Sequence, residues 1–285
     1  MSGFLLFMLA CGDVETTATS STPAEQKVDQ PAATNEKISA GSSAKATLDI
    51  TAQAEKIEQE ALTPSPLETR KAAEKEGLTA DFAGLIQKRS FEFPTEDTDL
   101  IALRTGIVLA DTVLQIKELE KDALLKNLAT IEQNMKLIGA GEGLVFTLTE
   151  LNTKVTNDAF TRDELLFELD EIVAYSRPNE GFGKDDTTGP LLQAGSWLTS
   201  INLLSQAMIK ENKTETANSL FRHQKVAEYF LSYIRVEGKD KVPVGIMNTL
   251  KTTLESMIEI SKKEQITKED VERVAQETNV LLELI

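Results

Sequence analysis

Few side chains in this chain offer chemistry by type and spacing. There is one cysteine, one histidine, and an Arg–Asp pair spaced along an apolar segment. His223 is the single histidine, so any His-dependent acid–base or nucleophile dyad would have to run through it. It is followed at i+3, i+7 and i+10 by Val226, Phe230 and Tyr233, an apolar helical face that favours a packed imidazole. A lone His beside a lone Cys does not supply a transition-metal ligand set, and one Cys leaves no intrachain disulfide. Arg104 and Asp111 share one side of the most apolar segment. They read either as a buried polar pair that fixes packing or, with His223, as contacts lining a groove between two helical halves. The loop "RPNEGFGKDDTTGP" (177–190) has no strand before it and has Asp185 after Lys184, so it does not make a phosphate loop. The acidic clusters at 96–99 and 163–164 stand at helix starts, where negative charge suits the helix dipole, and lack a calcium-loop pattern. No catalytic motif, metal site or cofactor site is found.

Cys11 has a different context. It follows the apolar run "FLLFMLA" (4–10) and precedes Gly12 and Asp13. The stretch Met8-Leu9-Ala10-Cys11 resembles the lipobox of bacterial lipoproteins, with Met8 where that family commonly has Leu and no basic residue in "MSG". The resemblance covers only about a dozen residues and implies that residues 1–10 are a signal peptide removed on export. It further implies that the Cys11 thiol is diacylglycerated and its freed amino group acylated, so that acyl chains on Cys11 make a membrane the partner. Two acyl chains or more give stable anchoring. Gly12 at the following position favours the outer over the inner membrane, with the protein facing the periplasm. No free thiol would then remain, which suits an oxidising compartment.

Residues 11–50 are rich in Thr, Ser, Ala, Pro and Gln and have almost nothing to bury, so they are expected to form a disordered tether. A coil of that length spans roughly 30–37 Å. Residues 51–77 are helix-prone but thinly apolar and broken by Pro64 and Pro66, which predicts an exposed helical lead-in. The formal net charge is −16, from 46 acidic and 30 basic residues, and no basic run exceeds a pair. Such a surface repels phosphate backbones, which excludes nucleic acid as the expected partner.

From residue 78 to 285 the apolar spacing is helical. The series Leu100, Leu103, Ile107, Ala110 and Leu114 steps by three and four, the pattern of a buried stripe. Further helices are predicted at about 121–138, 142–157, 161–176, 190–210, 214–236, 243–261 and 267–285. Thr161–Glu164 forms a capping box, and Thr267–Asp270 is its variant with a shorter acid.

Those two caps open the similar segments "FTRDELLFELDEI" and "ITKEDVERVAQET". Earlier in each half, "LRTGIVLADTVL" and "LQAGSWLTSINL" place Leu103 on Leu192 and Gly106 on Gly195. The matching pieces keep their order, so the expectation is an all-α multi-helix bundle built as two tandem copies of a roughly four-helix unit, with halves near 95–177 and 189–285. A helical glycine costs about 1 kcal/mol relative to Ala. Gly106 and Gly195 at equivalent points are therefore read as repeat-packing residues where two helices approach closely. The leading functional expectation is a lipid-anchored envelope protein that binds or scaffolds a protein partner without catalysis. The alternatives are an envelope enzyme working in the groove between halves, and a cytosolic helical adaptor.

Overall fold

The computed structural model describes residues 63–79, 82, 84–86, 96–176, 188–233 and 244–285. The chain divides into two compact units, Met1–Thr47 and Leu48–Ile285, and every described residue belongs to the second. Cys11, the signal-like segment and the tether lie outside the described residues.

The described part of this second unit is all helix. It comprises α1 (Pro66–Lys75), α2 (Thr98–Leu114), α3 (Lys121–Leu137), α4 (Glu142–Thr156), α5 (Arg162–Tyr175), α6 (Thr188–Lys210), α7 (Ala217–Leu220), α8 (Gln224–Tyr233), α9 (Val244–Ser261) and α10 (Lys268–Leu284). A 3-10 turn covers Thr214–Thr216. Helix boundaries follow the apolar periodicity closely because caps mark them chemically. Asp97 accepts from the Asp99 and Leu100 amides at the start of α2, and Thr267 and Asp270 cap each other at the start of α10. Gly139 ends α3 with a positive φ of 74°. Its amide and that of Ala140 return to Lys136 and Met135, which satisfies two carbonyls at the helix end.

α2 and α6 form the centre. From Asp99 to Leu114 only Arg104 escapes full burial, and α6 is buried on all sides from Thr188 through Ser205. Most of their buried hydroxyls are satisfied within the helix. Thr105, Thr112, Thr199 and Ser200 each donate to the carbonyl four residues back, at 2.6–2.9 Å. Around this pair, α3 packs on α2 and carries α4, while α10 packs on α6 and joins α9, which holds α8.

The structure departs from the sequence reading in two places. α1 is docked rather than exposed, with Leu67, Arg70 and Ala73 buried. Asp170 of α5 grips its N-terminus, accepting from Ser65 Oγ at 2.9 Å and from the Leu67 amide at 3.1 Å. Arg70 donates to the Leu114 carbonyl at 2.7 Å, which satisfies the last turn of α2. Leu67 and Ala73 are too few to make an apolar stripe, and Arg70 and Asp170 supply the rest of the anchorage through polar contacts.

The helix expected over 214–236 is broken between Leu220 and Gln224. The break turns Phe221 into the core and frees Arg222 to cross to the C-terminal end of α9. There its guanidinium donates to the carbonyls of Ser261 and Glu264, both at 2.9 Å, and to that of Lys263. Capping these orphan carbonyls outweighs the few hydrogen bonds that a continuous helix would add.

The Asp270 cap has a pH consequence. Burial alone would raise its carboxyl pKa. The Lys263 ammonium at 2.6 Å and the Thr267 amide and hydroxyl outweigh burial, and the net shift is below the usual 3.8. The unfolded chain therefore binds a proton where the folded chain does not. The resulting stability is present above about pH 4 and is lost as pH falls through the lowered pKa. Asp270→Asn is expected to cost about 1–2 kcal/mol at neutral pH in urea unfolding, with the gap to the parent closing in acid. A gap that stays constant down to pH 2 would refute this account of the carboxylate.

Candidate functional site

The two glycines singled out in the sequence meet at the crossing of α2 and α6. A Cβ on Gly106 would lie 2.0 Å from the Leu192 carbonyl oxygen and 2.8 Å from the Ser196 nitrogen. A Cβ on Gly195 would lie 2.2 Å from the Leu103 carbonyl oxygen. Each glycine thus faces the leucine three residues before the other, so the crossing is reciprocal. The layers around it are not. Beyond each other, α2 leans chiefly on α3 and α6 chiefly on α10, which are not equivalent helices under the sequence matching. The packing therefore does not establish the duplication.

Arg104 and Asp111 both stand on α2, where Arg104 is half-buried and Asp111 buried. Arg104 Nε donates to the Ile285 main-chain oxygen at 2.7 Å, and burial lowers the pKa of its guanidinium. This contact pins the end of α10 to the central helix. Of the matched positions in α6, Ser200 is closed on the Ser196 carbonyl, and Gln193 is buried with an unpartnered Oε1.

His223 stands just before α8 rather than within it, and its carbonyl accepts from the Ala227 amide at 3.1 Å. It lines a pocket together with Ile201, Phe221, Met257, Ile260 and Val274. The pocket holds about 10 Å³, room for one water, against the several hundred typical of small-molecule sites. Neither Arg104 nor Asp111 lines it, so the structure does not gather the three candidate groove residues around this pocket. Burial lowers the His223 pKa below 6.5, with a hydrogen bond to the Leu220 carbonyl pulling the other way. The folded protein then holds a neutral ring where the unfolded chain is protonated, so this contribution is complete above about pH 6.5 and fades below it. A proton NMR titration of the single imidazole is expected to give a midpoint under 6.5. A midpoint at or above that value would show that burial does not govern the protonation of this ring.

The sequence reading missed a row of polar atoms buried in α6. Gln193 Oε1, Ser196 Oγ and Trp197 Nε1 recur at i, i+3 and i+4 and have no hydrogen-bond partner. Among the described residues no group of three His, Cys, Asp or Glu side chains could hold a metal ion. No described helix is long and apolar enough to cross a membrane.

The class defined by this geometry is an all-α helical bundle built on a glycine-mediated crossing. No family model matches the chain, and no curated protein or solved structure shows significant similarity to it.

Proposed function

We propose that this chain is a lipid-anchored protein of a bacterial envelope, held at the periplasmic face of the outer membrane by acyl chains on Cys11. Its helical domain binds or scaffolds a protein partner there. The observation that carries the anchor is the stretch Phe4–Cys11, an apolar run closing on Leu9-Ala10-Cys11, followed by some forty residues with nothing to bury. A tether of that composition gives a folded domain reach away from a bilayer, and a second acyl chain makes attachment durable. Support for binding rather than catalysis comes from the outward placement of large apolar side chains. Phe146 and Phe167 face solvent on α4 and α5.

Metabolic labelling with a clickable fatty acid, followed by membrane fractionation, tests the anchor. The parent is expected to take label and sediment with membranes, and Cys11→Ser to lose both. An unlabelled, soluble parent that keeps Met1 would overturn the reading.

A further inference from the structure

α4 and α5 repeat one surface arrangement. α4 buries Leu144, Leu148, Leu151 and Val155, and α5 buries Leu165, Leu166, Leu169, Ile172 and Val173. Each stripe is complete without the phenylalanine that the helix presents on its opposite side, Phe146 at 63% exposure and Phe167 at 58%. The other aromatic rings with described side chains are buried, or half-buried in the case of Phe160. Glu142 and Glu150 stand four residues either side of Phe146, and Asp163 and Glu171 stand four either side of Phe167. Residues four apart share a helix face, so each ring is bracketed by two carboxylates.

None of these four carboxylates takes part in an ion pair or side-chain hydrogen bond within the described residues. Over Glu142–Tyr175 eight acidic residues stand against two cations, a net charge of −6. Both cations are engaged elsewhere. Lys154 Nζ sits 4.9 Å above the Phe160 ring, and Arg162 donates to the Leu119 carbonyl at 2.8 Å.

We propose that the outer faces of α4 and α5 dock a basic, amphipathic segment of a partner protein, whose apolar residues cover Phe146 and Phe167 while its Lys or Arg side chains meet the bracketing carboxylates. This rests on the reading of the domain as a binding module and names its partner by charge and polarity. Charge complementarity selects the occupant. A second copy of this chain would bring the same acids against this face, and an anionic bilayer would be repelled by it. A cationic segment gains from both parts of the arrangement, including contact between its cations and the ring faces.

The test uses full-length Cys11→Ser chain, so that the outcome is independent of acylation, and titrates it into a fluorescently labelled amphipathic Leu–Lys helical peptide. A peptide of equal charge with Ser for Leu is the control. The Leu–Lys peptide is expected to bind about tenfold or more tightly than the Ser–Lys peptide, and Phe146→Ser/Phe167→Ser to lose that advantage. Both positions are exposed, so the variant keeps its far-UV circular dichroism. Neutralising the brackets with Glu150→Gln and Asp163→Asn is expected to weaken binding and flatten its salt dependence. Equal affinity for both peptides, or an unchanged Phe variant, would overturn the proposal by reducing the effect to net charge. So would Phe-dependent binding to phosphatidylcholine vesicles in place of the peptide, or Phe-dependent self-association in sedimentation.

Discussion

Gly106→Ala and Gly195→Ala are each expected to lower the unfolding free energy by about 3 kcal/mol, among the largest effects of adding a single methyl group to this protein. The added carbon would fall 2.0 Å from the Leu192 carbonyl oxygen in one case and 2.2 Å from that of Leu103 in the other. Both obstacles are main chain inside a buried helix, so no side chain can swing away and the helices themselves must separate. Ala is the better helix former by about 1 kcal/mol, and that gain is already offset in the figure above. Because each glycine faces the other's helix, one separation relieves both clashes. The double variant is therefore expected to cost clearly less than the sum of the singles. Gly143→Ala and Gly245→Ala make the control, since neither Cβ would meet anything within 4 Å. They should be neutral or stabilise by up to about 1 kcal/mol. Urea unfolding followed by circular dichroism measures all five variants. Indistinguishable effects for the central and control glycines would refute the close crossing.

Trp197→Ala is expected to cost about 3–5 kcal/mol. Trp197 is the only tryptophan and is 1% exposed on the most enclosed helix, with the Phe230 ring centroid 5.5 Å away and tilted by 41°. Its removal opens a cavity between α6 and α8, and α6 cannot move to fill it because α2 and α10 hold its other sides. Trp197→Phe should cost much less than the alanine change. It keeps an aromatic partner for Phe230 and removes a buried indole N–H that has no acceptor. The parent's fluorescence should be blue-shifted and poorly quenched by acrylamide, and should shift red in a single urea transition. Equal losses for the Phe and Ala variants, or ready quenching in the native state, would place this ring outside the core.

Much of the helix layout could be read from the chain because the information is local. Boundaries such as those of α3, α4 and α10 depend on apolar spacing and on residues a few places apart, as in Thr267 with Asp270, Gly139 with Lys136 or Ala140 with Met135. The glycine pair could be singled out because a helical glycine carries a cost that invites a packing reason. The broken helix at Phe221–His223 and the docked α1 could not be read. Their causes lie across the sequence, in Arg222 reaching Ser261 and Glu264 and in Asp170 reaching Ser65 and Leu67. Nor could the candidate groove be judged. Arg104, Asp111 and His223 are polar residues in apolar settings, and only their partners decide whether such groups line a site or fasten a helix.

By itself the sequence determined the helical class and the helix boundaries set by local caps. It also supplied the ground for expecting an acyl anchor at Cys11, since the lipobox resemblance is a pattern of adjacent residues. Only the tertiary structure decided which helices are central, what the glycines touch, and that Arg104 closes on Ile285 while His223 lines a one-water pocket with apolar walls. It alone showed that Phe146 and Phe167 are left outside. Apolar residues look alike in sequence wherever they end up, and exposure depends on which stripe a neighbouring helix covers. Capping and periodicity act within a turn or two of chain, whereas burial is settled by segments a hundred residues apart.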